Sequence, residues 1–280
     1  MIKIAPVIKI ENEKHIAILD TSSISFMQKL KSEGLRPESI LEDYELILLP
    51  EWVLTEVYDA EGRANYVQEL IDSGYPIRSI AEEKYAELVD GEEGNLYQIV
   101  LASTQQLARL RSYLRKFVES ADLLDMEAYG DWIKKLYENW PIRGGELSSG
   151  RTQKKNAGEV SITILAEVVS WYYPKVEALT VYSQDRDAYE FQCKAEASLR
   201  EIFVSRTPVP VSFKSNDAIL CQLFREGEIS ISDIMAYRKD ERKITYSKEQ
   251  PDHSVILVTK RVDNDLFVEL VQDKSVHIIF

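Results

Sequence analysis

The chain is poor in the residues that usually announce a metal or redox site. It has two cysteines, Cys193 and Cys221, and three histidines, His15, His253 and His277. Two isolated cysteines rule out a disulfide framework or a thiolate cage and read as ordinary helix burial. The histidines form no ligand pair at helical spacing, which argues against zinc. No G-x-x-x-x-G-K-[ST] loop is present, which argues against P-loop nucleotide hydrolysis. There is no signal-peptide core and no apolar run long enough to span a bilayer, so the expectation is a soluble, cytoplasmic protein without membrane contact. Positive charge is also short: 34 Lys and Arg against 47 Asp and Glu give a net charge of −13. That excludes a general electrostatic nucleic-acid binder but leaves room for a local basic groove beside an acidic, metal-occupied centre.

What is present is core. At 280 residues and 45% hydrophobic, the chain can bury a substantial interior in one or two domains. The stretch His15 to Ser23 organises the rest. Ile16, Ala17, Ile18 and Leu19 form an apolar run that ends in Asp20 and three hydroxyl residues. Such a run reads as a buried parallel strand, and ligands of open α/β sheets bind outside the carboxyl ends of such strands. Asp20 occupies that end, although capping the next helix alone would account for it.

Residues 1–10 alternate and predict a short strand or hairpin arm. After Asp20, Ile24, Met27 and Leu30 predict a helix closed by Gly34 and Pro37. Leu46 to Leu49 predict a second buried strand, and Pro50 starts a helix over 51–60. Glu56 lies beside the apolar stripe of Trp52, Val53 and Val57, either with its stem along the core or as a ligand. A helix over 63–73, a strand over Tyr75–Ile80 and a polar helix over 82–90 complete an α/β pattern implying a mainly parallel sheet.

From about 91 to 141 only helices are predicted. Leu107, Leu110, Leu114, Phe117, Ala121 and Leu124 keep helical spacing, followed by Trp132, Leu136 and Trp140, which suggests an inserted helical hairpin. Residues 141–156 are rich in Gly and Ser and predict a loop. Its Arg143, Arg151, Lys154 and Lys155 are either solvated or placed to grip phosphates.

Asn156-Ala157-Gly158-Glu159 opens an apolar helix. Glu159 there complements the helix dipole or points inward as a ligand, and Gly158 would let a neighbour come close. Leu179 to Ser183 predict the fourth core strand, with Asp185, Arg186 and Asp187 at its carboxyl end. A helix over 186–200, a strand over 209–213 and a helix capped at Ser215-Asn216-Asp217 follow, capping being reason enough for Asp217. The segments 244–247, 255–260, 266–271 and 275–280 all look β-like. They suggest a small antiparallel meander with the N-terminal arm as a pairing partner. The expected division is therefore residues 1–226 as an α/β domain and 227–280 as a β-rich extension.

Asp20, Glu56, Glu159 and Asp185, with Asp187 adjacent, are thus two strand-end acids and two helix acids that one sheet edge could gather. Clustered carboxylates repel and are tolerated mainly around a hard divalent cation; oxygen-only ligation suits Mg²⁺ or Mn²⁺.

Four stretches carry a resemblance: ILDTSS at 18–23, LLPEWVLTEV at 48–57, NAGEVSITILA at 156–166 and TVYSQDRDAY at 180–189. Together they resemble the PIN-domain family of metal-dependent nucleases, over roughly residues 14–80 and 145–225. Pro50, Val53 and Glu56 keep the spacing of that family's P-x-x-V-x-x-E stretch. The resemblance implies a three-layer α/β/α fold with a mainly parallel central sheet. It implies that Asp20, Glu159 and Asp185 hold Mg²⁺ or Mn²⁺, with Glu56 as a further ligand or water-orienting base and Asp187 in a second sphere or at a second metal. Ser22 would brace Asp20, and Arg143, Arg151, Lys154, Lys155 and Arg186 would hold phosphates.

The activity implied is an endonuclease acting on RNA in preference to DNA. A toxin or defence role, an inhibitory protein partner and a homodimer are further expectations. The helical insertion and C-terminal extension depart from compact family members. Two other readings stay open. One is a catalytically silent scaffold that binds through its insertion or tail. The other is a different phosphoryl-transfer enzyme with Asp20 as nucleophile, weakened by Ser22, which breaks the D-x-D pattern.

Overall fold

In the computed structural model, which describes residues 4–7, 9–118, 128–146, 152–238 and 241–280, the apolar runs pair side by side. The strands in chain order are β1 (His15–Leu19), β2 (Leu46–Pro50), β3 (Ile77–Ile80), β4 (Arg143–Glu146), β5 (Thr152–Lys154), β6 (Ala178–Tyr182) and β7 (Val211–Lys214). Five of them form a wholly parallel sheet in the order β3-β2-β1-β6-β7. Ile16, Ala17, Ile18 and Leu19 are completely buried, as a strand covered on both faces requires.

The chain runs outward from β1 through β2 to β3, then returns across the sheet and runs outward the other way from β6 to β7. The helices fall into two sets that pack among themselves, and the right-handed crossover rule assigns the two sets to opposite faces of the sheet. The first set includes α1 (Thr21–Ser32), α2 (Glu51–Tyr58) and α3 (Glu61–Asp72), with α1 packed on α3. After α4 (Tyr85–Leu88), the opposite layer comprises α5 (Glu93–Thr104), α8 (Ala157–Tyr172) and α9 (Arg186–Ile202), which pack on one another. The fold is α/β with three layers and a mainly parallel central sheet. The direction of winding reverses between β1 and β6, and that crevice is where doubly wound sheets hold ligands.

The region from 91 to 141 holds α5, α6 (Ala108–Val118) and α7 (Tyr129–Glu138). The first of these packs on α8 and α9 and belongs to the α/β layer, so the inserted part is shorter than expected. Ala121 and Leu124 lie outside the described residues. The 141–156 segment is not only loop: β4 and β5 pair as an antiparallel ribbon.

The C-terminal part starts after α10 (Asn216–Glu226) with α11 (Ile231–Tyr237), β8 (Arg242–Glu249), β9 (Val255–Val262), α12 (Asn264–Gln272) and β10 (Val276–Ile278). Its antiparallel sheet runs β10-β8-β9. Residues 266–271, expected as a strand, form a helix. The Asp263 side chain caps it by accepting from Leu266 N, and Phe267, Leu270 and Val271 are buried one turn apart. The N-terminal arm pairs elsewhere than expected: Pro6 bridges Ser79 on the outer edge of β3. Cys221 is buried, whereas Cys193 on α9 is exposed. Among the described residues no helix is long and apolar enough to cross a membrane.

Candidate functional site

The crevice at the winding reversal is lined with acid. A cavity of about 310 Å³ is bounded by Asp20, Thr21, Ser22, Ser25, Glu56, Asp59, Arg63, Glu159 and Asp185. Four separated segments deliver its carboxylates. Asp20 leaves the carboxyl end of β1 and caps α1, and Asp185 follows β6 and caps α9. Glu56 projects from α2, and Glu159 from the first turn of α8. A larger cavity of about 700 Å³ lies around Lys31, Glu38 and Tyr66, where Lys31 and Arg36 already pair with Glu38 and Glu42.

Asp20 is 8% exposed and held by donors on all sides. Thr21 N donates to Oδ1 at 2.7 Å, and the Ser22 and Ser183 hydroxyls donate to Oδ2 at 2.6 and 2.8 Å. Ser22 Oγ also accepts from Gln184 N at 3.0 Å, tying the end of β1 to the end of β6. Burial pushes the Asp20 carboxyl above its ordinary range, against the three hydrogen bonds that favour the charged form. Burial also raises Glu56, whose Oε2 accepts from Thr21 Oγ1 at 2.9 Å. Glu159 is raised to about 8, first by burial and then by the neighbouring Asp185 carboxyl. Asp185 Oδ1 accepts from Asp187 N at 2.8 Å, and Asp185 N donates to Ser183 Oγ at 3.0 Å.

The other sequence-predicted residues lie apart. The Asp187 side chain is exposed and does not line the cavity. Arg186 pairs with Glu190 at 3.5 Å. Lys154 donates to the Tyr137 carbonyl and sits 4.5 Å over the Trp52 ring. It lines a separate cavity of about 490 Å³ with Glu82 and Tyr137. Arg143 and Lys155 are exposed on the β4–β5 ribbon, and Arg151 lies outside the described residues. Ser22 binds Asp20 itself, the bracing role, which occupies the hydroxyl otherwise offered to substrate. Gly158 brings α8 toward Glu56, but a Cβ there would stand 3.7 Å from Glu56 Oε1, an ordinary contact.

Sequence reasoning missed Thr21, Ser183 and Arg63. The first two are hydroxyl residues beside the strand-end acids, a signal readable from ILDTSS and VYSQD: the Ser183 hydroxyl binds Asp20, and Thr21 binds Asp20 through its N–H and Glu56 through its hydroxyl. Arg63 gives no such signal: it comes from the next helix, donates to the Glu56 carbonyl at 2.6 Å and is the one cation among the lining residues.

The donor set suits a hard divalent cation. Every candidate ligand offers oxygen, and five carboxylates face one arginine. Burial and then the adjacent Asp185 carboxyl push Glu159 up to about 8, and a bound cation would offset the repulsion between the two. Among the described residues no three such groups stand together as a finished metal cage. No known family model matches the chain, and no curated protein matches it.

Proposed function

We infer that the chain is a Mg²⁺- or Mn²⁺-dependent nuclease of the PIN type, hydrolysing phosphodiester bonds of RNA in preference to DNA. One observation carries the reading: Asp20, Glu56, Glu159 and Asp185, separated by up to 165 positions in sequence, line one cavity at the winding reversal of a parallel sheet. Asp20, Glu159 and Asp185 would hold the cation, and a cation so bound supplies charge stabilisation at phosphoryl oxygens and an activated water. Ser22, Ser183 and Thr21 N fix the Asp20 carboxylate so that it needs no reorganisation. Glu56, anchored by Thr21, can accept a proton from water at the cavity wall. Arg63 places the nearest positive charge for a phosphate.

The test is cleavage of labelled single-stranded RNA and DNA with Mn²⁺ or Mg²⁺, comparing the wild type with Asp20→Asn. The expected result is metal-dependent cutting that the substitution abolishes while circular dichroism and the thermal midpoint are kept. Equal cutting by both chains would refute the assignment. A second reading, a silent binding scaffold, draws on the lack of a finished cage among the described residues; metal titration showing no saturable Mn²⁺ binding would favour it. A toxin or defence role with an inhibitory partner remains a proposal resting on the same cavity.

A further inference from the structure

β9 is the outer strand of the C-terminal sheet, eight residues long and paired only with β8 among the described residues. Three consecutive apolar residues on it face water: Val255 at 67%, Ile256 at 43% and Leu257 at 66% exposure. Proteins ordinarily blunt such an edge with charge, proline or a covering element, because its open N–H and C=O groups template further pairing. Here the first half of the edge carries none of these.

The backbone geometry shows which groups are open. Thr245 and Glu249 on β8 turn their backbone groups toward the other side: Glu249 N donates to Ser275 O at 2.9 Å, and Thr245 O accepts from Ile279 N at 2.8 Å. Their cross-strand partners are Thr259 and Val255. Residues opposite a non-bonded position turn outward, so Val255, Leu257, Thr259 and Arg261 present their N–H and C=O to the open edge.

We propose that β9 pairs antiparallel with β9 of a second copy of this chain, in a two-fold register centred on Ile256. In that register Ile256 faces Ile256 of the second copy. Val255 faces Leu257 of the second copy, both with outward backbone groups, so each such pair exchanges its N–H···O bonds. Lys260 comes alongside the turn that holds Asp252 of the second copy, and the symmetry repeats that opposite-charge meeting on the other side. The register centred two residues later would instead set Val255 and Ile256 against Arg261 and Lys260. The register centred on Leu257 keeps apolar pairs, Leu257 with Leu257 and Ile256 with Val258, but sets Lys260 against Ser254. Charge complementarity therefore selects the register centred on Ile256, and the self-complementary edge names the chain itself as occupant.

The experiment is light scattering of the full chain on size exclusion over a micromolar concentration series. Wild type is expected to show concentration-dependent dimer, and Leu257→Lys to be monomeric with an unchanged thermal midpoint. Lys260→Asp alone and Asp252→Lys alone should each weaken dimerisation by about tenfold or more through like-charge contacts. An equimolar mixture of those two variants should recover it, since every mixed contact is then of opposite sign. Loss of the Asp252 turn bonds to Ser254 (Oδ1 to Ser254 N at 3.0 Å) or of the Lys260 contact with the Tyr246 ring cannot produce recovery on mixing. Wild type that stays monomeric through the series overturns the pairing. Failure of the mixture to recover overturns the register.

Discussion

Glu167 offers a test of how this fold treats its buried acids. It lies on α8, two turns beyond Glu159 and with no accessible surface. Trp171 Nε1 donates to Oε2 at 2.7 Å and Gln192 Nε2 donates to Oε1 at 2.8 Å. Burial is the chief reason its carboxyl is pushed up to about 8 from an ordinary 4.5; Glu196 adds to the rise and Arg200 opposes it. A carboxyl raised in the folded state is neutral there while the unfolded chain is ionised. Its contribution is therefore fully present below about pH 4.5 and is lost as pH climbs to about 8, beyond which nothing further is lost. At about 1.4 kcal/mol per unit, the loss is on the order of 3–5 kcal/mol.

Glu167→Gln removes the ionisation and keeps an acceptor for Trp171. Its amide N–H₂ would meet the Gln192 side chain, whose own Oε1 has no partner; turning the Gln192 amide over pairs them. Urea unfolding of both chains from pH 4.5 to 9 is the assay. The two should match at pH 4.5, and the variant should lead by roughly 3 kcal/mol at pH 8, a thermal gain of about 6–12 °C. Because Glu82, raised to about 7 by burial, contributes the same slope to both, the difference between the curves is the quantity to read. A difference that stays constant with pH would refute the reasoning.

Two other substitutions separate structural from functional charges. Lys154→Met should reduce stability by about 1 kcal/mol, through loss of the Tyr137 hydrogen bond and the Trp52 contact. Filter binding should find RNA affinity changed by no more than about twofold, because the Lys154 ammonium is already held by the Tyr137 carbonyl and the Trp52 ring; a tenfold loss would restore Lys154 as a phosphate grip. Asp217→Ala should destabilise by roughly 3–5 kcal/mol in chemical unfolding, since it removes a carboxylate partner from a buried guanidinium that also donates to the uncharged Val262 O and Asn264 Oδ1. Arg238 has no side-chain exposure and pairs with Asp217 at 3.1 Å, so a loss under 1 kcal/mol would show that the pair is not holding α10 to the C-terminal sheet.

The parts of the fold that were legible in sequence are those where burial leaves a compositional mark. β1 and β2 are continuous apolar runs, and β6 is one broken only by Thr180, because helices cover both faces, and Asp20 and Asp185 follow β1 and β6. What misled was local chemistry with two meanings. Val262-Asp263-Asn264-Asp265 looks like a hairpin turn, and the β-branched LFVELV after it looks like a strand. Asp263 is instead a helix cap, and the spacing of Phe267, Leu270 and Val271 is helical. Asp217 looked like a cap too, but Ser215 caps α10 and Asp217 turns inward to Arg238. Arg63 was illegible because its relation to Glu56 exists only after α2 and α3 fold against each other.

Asp217 and Asp20 make an instructive pair. Both are buried aspartates raised by desolvation. At Asp217 the chain supplies arginine: Arg238 at 3.1 Å and Arg242 at 3.5 Å. At Asp20 it supplies hydroxyls and a backbone N–H, and the neighbouring charges are Glu56, Glu159 and Asp185. A chain with 34 basic residues that neutralises its structural acid yet lines the Asp20 cavity with five carboxylates and one arginine concentrates acid at one place. On the proposed function that load is offset from outside the chain, and the oxygen-only donor set would suit a small, hard, multiply charged cation. The hydroxyl frame fits the same account, because Ser22 and Ser183 hold Asp20 in place without adding a positive charge that would compete with the ion.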